Sequence, residues 1–86
     1  MPSDEPLLRE LDAADVVYRI VGNATPELRI DAGDANVMRA CIALRAFGAT
    51  AQTIVDFSRA PEGATVWVDT GSGRVALRKE TLPPPS

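Results

Sequence analysis

Eighty-six residues, 45 % apolar and 24 % charged, describe one small folded domain with room for a single core and lie outside the disordered class. A formal net charge of −3, a lone cysteine at Cys41 and the absence of histidine exclude an internal disulfide and remove the side chains most used for proton transfer, nucleophilic attack and transition-metal binding. We therefore expect no enzyme, no metal site and no cofactor. No apolar run approaches the roughly 20 residues of a membrane span. Met1-Pro2-Ser3-Asp4-Glu5 is acidic where a secretory signal is basic, so the cytoplasm is the expected compartment.

In chain order, Leu7, Leu8 and Leu11 predict a short amphipathic helix over residues 7–14. Val16-Val17-Tyr18-Arg19-Ile20-Val21 is β-branched and aromatic and stops at a Gly22-Asn23 turn, which predicts a strand. After Pro26, Glu27-Leu28-Arg29-Ile30-Asp31 alternates polar and apolar and predicts a second strand with one wet face. Asp34 is placed to cap a helix over residues 35–47, ending at Gly48. Its core face is Val37, Ala40, Cys41, Leu44 and Phe47; Arg39, Ala43 and Ala46 point away, and Met38, Ile42 and Arg45 form a flank between.

Alternation of Thr53, Val55 and Phe57 against Gln52, Ile54 and Asp56 reads residues 50–58 as a third strand, followed by a turn at Ala60-Pro61-Glu62-Gly63. Two further strands flank Thr70-Gly71-Ser72-Gly73, read as a hairpin with glycine at the first central position. The register then follows. Val68 opposes Val75 and Val66 opposes Leu77 on one face; Asp69 meets Arg74, Trp67 meets Ala76 and Thr65 meets Arg78 on the other. The expected architecture is α+β in two layers: a short helix, then β-β-α-β-β-β, with a mostly antiparallel sheet on one main helix. Residues 1–80 form the domain and residues 81–86 a flexible proline-rich tail.

Charge divides along the chain. Residues 1–34 hold eight acids and three arginines, a net of −5; residues 35–86 hold four acids and six bases, a net of +2. That asymmetry predicts a dipolar surface. Asp31-Ala32-Gly33-Asp34-Ala35-Asn36 superficially resembles a calcium loop, but Ile42 stands where the bidentate glutamate belongs. Gly71-Ser72-Gly73-Arg74 is followed by a strand, not by the helix a phosphate cradle needs. Cys41 lies on the apolar stripe of its helix and reads as core.

Trp67 carries most of the functional content. The register puts it on the polar face with Asp69, Arg74 and Arg78, a composition enriched at binding hot spots. Alternatively, the first helix folds across that face and buries it. Acidic Asp12 and Asp15, and the flank of Met38, Ile42 and Arg45, are the other candidate partner surfaces. In size, compactness and lack of motifs the chain resembles small phage and mobile-element proteins that block host defence, especially anti-CRISPR proteins. The resemblance implies an inhibitor that blocks a nucleic-acid-handling complex by protein contact, since an acidic surface fits a groove tuned for anions. Two other readings stay open. A small nucleic-acid binder would use Arg39, Arg45, Arg59, Arg74, Arg78 and Lys79 with Trp67 stacking, and a homodimer or assembly subunit would pair through an exposed strand, either the second or the third.

Overall fold

A computed structural model describes residues 5–22, 27–71 and 73–83. The elements are α1 (Glu5–Ala13), β1 (Tyr18–Val21), β2 (Glu27–Asp31), α2 (Asp34–Phe47), α3 (Ala51–Arg59), β3 (Thr65–Asp69) and β4 (Arg74–Glu80). The class is α+β. The four strands run in the order β1-β2-β4-β3, antiparallel at β1–β2 and β3–β4 and parallel at β2–β4. The helices lie on one face of this sheet, where Leu7 and Leu11 of α1, Leu44 of α2 and Phe57 of α3 share a core with Leu28, Ile30, Val68, Val75 and Leu77.

The third strand expected over residues 50–58 is a helix. Thr50 caps it, its hydroxyl accepting from Thr53 N at 3.2 Å, and Gln52 donates to Asp56 one turn later at 2.7 Å. Phe57 is fully buried and Ile54 and Thr53 half-buried, a spacing of three and four that serves a helix. Short apolar runs fit either period, and here Gly48 decides. Its φ of 103° turns the chain sharply at the end of α2, and its N–H donates to Leu44 and Arg45 carbonyls, so the next segment folds back as a helix. The order after α1 is therefore β-β-α-α-β-β, with four strands among the described residues.

Three smaller corrections concern α2 and its surroundings. Asp34 is the first helical residue; Gly33 occupies the cap position and supplies no side-chain bond. Ala43, expected to point outward, is buried because α1 packs along that side of α2. The first strand begins at Tyr18, two residues later than expected; Val17 gives its N–H to the Asn36 side chain, while its carbonyl accepts from Asp31 N at 3.1 Å. The Asn36 side chain is buried in the first turn of α2. Its Oδ1 accepts from Val17 N at 2.7 Å, and its Nδ2 donates to the Val17 and Asp31 carbonyls at 3.1 and 3.0 Å. One amide thus ties α2 to the start of β1 and the end of β2.

The expected β3–β4 register is present in full: Thr65↔Arg78, Val66↔Leu77, Trp67↔Ala76, Val68↔Val75 and Asp69↔Arg74. Gly71 has a φ of 88°, which suits glycine at the turn; Ser72 lies outside the described residues, as do Asn23 of the first turn and Pro26. At the start of the proline-rich tail, Leu82 N donates to Asp31 Oδ1 at 3.1 Å and Thr81 Oγ1 bonds the Glu62 carboxylate; residues 84–86 are outside the described set.

Candidate partner-binding surface

The sheet face opposite the helices is uncovered among the described residues. Strand alternation puts Arg19 and Val21 of β1, Glu27 and Arg29 of β2, Arg74, Ala76, Arg78 and Glu80 of β4, and Thr65, Trp67 and Asp69 of β3 on that side. Trp67 remains 48 % exposed. The first helix does not fold over it, because Leu7 and Leu11 are sealed against α2 and the core on the other side.

Two cross-strand rows organise the face. One runs Thr65, Arg78, Arg29, Arg19 across all four strands, bringing three arginines abreast. Adjacent like charges repel, and carboxylates from neighbouring rows offset this. Glu27 accepts from Arg29 Nε at 3.1 Å and reaches Arg78 Nη2 at 3.6 Å; Glu80 accepts from Arg29 Nη1 at 3.1 and 3.3 Å. The Glu27 hydrogen bond first, and then Glu80, push the Arg29 guanidinium above its ordinary pKa. Arg78 Nη2 also donates to Thr65 Oγ1 at 3.2 Å.

The second row runs Trp67, Ala76, Glu27, Val21. Ala76 is only 4 % exposed although no helix covers it, because larger side chains flank it on every side. The Arg74 guanidinium lies 5.5 Å from the Trp67 ring centroid, a cation–π arrangement. Asp69 and Arg74, opposite each other in the register, form no ion pair: Arg74 turns to Trp67, and Asp69 Oδ1 accepts from Gly71 N at 2.8 Å. Acids and bases are thus intermixed here. The charge asymmetry of the linear sequence largely cancels on this face, because β2, from the acidic half, lies beside β4, from the basic half.

The other predicted residues fall elsewhere. Asp12 and Asp15 are exposed at the end of α1, near the β1 edge, where Asp12 Oδ1 accepts from the Tyr18 hydroxyl at 2.8 Å. Burial first, and then the Asp12 carboxylate, push the Tyr18 phenol up to about 12. This edge lies three strand spacings, about 14 Å, from β3. Met38 and Ile42 are 66 % and 59 % exposed on α2, and Arg45 is exposed too. Met38 opens onto a cavity of about 620 Å³ between α2 and α3, lined also by Val37, Cys41, Val55 and Lys79. Cys41 is half-buried against the core. Burial raises its thiol pKa, and nearby Lys79 pulls the other way.

Sequence reading missed Arg19, Arg29 and Glu27 as members of the face, and it counted Lys79 among the exposed bases of a nucleic-acid surface, where the structure buries it. Lys79 points to the helix side and is only 7 % exposed. Its Nζ donates to the Ser58 and Ala60 carbonyls at 2.8 and 2.9 Å and sits 5.2 Å from the Phe57 ring centroid. It closes the C-terminal end of α3, where a cation suits the helix dipole. Extending the hairpin register one step past Leu77 was the signal that would have turned it inward.

Among the described residues no group of three or more acids, cysteines or histidines is placed to hold a metal ion, and no helix is long and apolar enough to cross a membrane. Comparison with known protein families, curated proteins and solved structures found no match.

Proposed function

We propose that the protein is a non-enzymatic protein-binding module that docks through its open sheet face, acting as an inhibitor or adaptor of a nucleic-acid-handling complex. The observation that carries the reading is a half-exposed tryptophan on an uncovered sheet where Arg29 and Arg78 have carboxylate partners and Arg74 an aromatic one. A polyanion arriving here must displace Glu27 and Glu80 from Arg29 and Arg78, and would meet their charge at close range. A single aromatic on the face also makes a poor base-stacking platform. A protein partner instead offers mixed charge to a mixed rim and a pocket for one indole, the pattern of an anchored interface. The exposed acids at the end of α1, with the net charge of −3, support a partner that carries a basic groove.

The test is capture of partners from a bacterial lysate with and without nuclease, using wild type, Trp67→Ala and Arg19→Glu. A stoichiometric protein partner that survives nuclease and is lost with either variant supports the reading. Recovery of nucleic acid alone, or full capture by both variants, contradicts it.

A further inference from the structure

The outer edge of β3 is open to pairing, because the sheet order leaves β3 with one neighbour. Thr70 N donates to Gly73 O at 2.9 Å, which fixes the phase of the hairpin ladder. In an antiparallel pair hydrogen-bonded positions alternate, so Val66, Val68 and Thr70 bond to β4 while the N–H and C=O groups of Thr65, Trp67 and Asp69 point outward. The strand sequence Thr65-Val66-Trp67-Val68-Asp69 has none of the proline, lysine or bulge that usually blunts an edge. The other edge, β1, is four residues long and carries Arg19 with no acid on the strand to oppose it.

From this edge we propose that β3 pairs antiparallel with β3 of a second copy, about a two-fold axis at Trp67, to give a continuous eight-stranded sheet. This register matches every outward backbone group: Trp67 faces its own counterpart, and Thr65 faces Asp69 of the other copy in both directions. Val66, half-buried in one copy, gains Val68 of the other beside it on the core side. On the open face the two indoles meet. The charges match too, since Arg78 donates to Thr65, and Thr65 is the residue that Asp69 of the second copy would oppose. The register therefore delivers a carboxylate to a guanidinium on each side of the axis. The proposal is independent of any second protein.

Sedimentation equilibrium of the purified chain across micromolar to near-millimolar concentration tests it, with emission from Trp67, the only tryptophan, followed in parallel. The expected result is a monomer–dimer equilibrium with emission shifting to the blue as dimer forms. Trp67→Lys, which sets like charges on the axis, and Asp69→Arg should each weaken the dimer at least about tenfold, and Asp69→Arg with Arg78→Asp should recover it. Circular dichroism establishes that each variant folds, and Asp69→Asn, which keeps an acceptor for Gly71 N, should weaken the dimer less. A monomer throughout the range overturns the proposal, as does a dimer indifferent to Trp67→Lys. Because Trp67 would serve both contacts, capture of a separate partner is judged by Arg19→Glu, three strands away, which leaves the dimer unchanged.

Discussion

Lys79 and Arg78 are consecutive on β4, yet the first is sealed beneath α3 by two carbonyls and a phenyl ring, while the second lies on the uncovered face among carboxylates. Strand alternation alone separates them. On the helix side Lys79 and Asn36 have fixed structural partners, and removal of either side chain takes hydrogen bonds from part-buried backbone groups. On the open side the ion pairs are in contact with water and exchangeable, so the same residue types contribute little to folding and are available for contact. Fixed structural contacts and exchangeable surface charges thus lie on opposite faces of one thin sheet.

Substitutions on each side test that division, beginning with the largest effect. Phe57→Ala removes a ring that fills the core and supports the Lys79 ammonium, and should cost about 3–5 kcal/mol by urea unfolding. A loss below about 1 kcal/mol would show that α3 is not part of the core. Asn36→Ala leaves Val17 N without its acceptor and takes one donor from each of the Val17 and Asp31 carbonyls, although Val17 O still accepts from Asp31 N, and should cost about 2 kcal/mol. Water entering the site and restoring stability would be seen as a near-neutral change.

The adjacent pair gives the direct contrast. Lys79→Met keeps the stem but leaves the Ser58 and Ala60 carbonyls without their donor, an expected loss of about 1–2 kcal/mol. Arg78→Met should stay within about 0.5 kcal/mol of wild type, and equal losses for the two would break the comparison. The smallest effect concerns Tyr18, the only tyrosine. Ultraviolet titration should find its midpoint at about 12, and Asp12→Asn should lower it toward 10. Because the folded-state pKa is raised, the contribution to stability is complete below pH 10 and declines as pH rises from 10 to 12. A midpoint near 10 in the wild type would place the phenol in open water.

Legibility in the sequence followed the range of the interactions involved. The β3–β4 hairpin was readable residue by residue, since a two-residue glycine turn and strict alternation fix both register and face. From it came Trp67 and Arg78 on one side. The core of α2 was readable from its period, apart from Ala43, whose burial depends on where α1 lands. Residues 50–58 were misread because Thr53, Ile54 and Val55 favour a strand locally, while the capping hydroxyl of Thr50 and the tight turn at Gly48 favour a helix. The arginine row was not readable. Arg29 joins Arg78 only because β2 and β4 pair in parallel, across a connection that contains two helices and a strand. Likewise, the second strand, expected as a possible pairing edge, is interior, and the edges are β1 and β3.

The open face, as proposed, is a protein-docking surface distinct from the fold's supports. Binding of the nuclease-resistant partner to wild type, Trp67→Ala and Arg19→Glu, measured together with the unfolding free energy of each, tests it most directly. Both variants should lose partner affinity while their stability stays within about 1 kcal/mol of wild type. Undiminished binding by both variants, or loss of binding only in step with loss of fold, would contradict it.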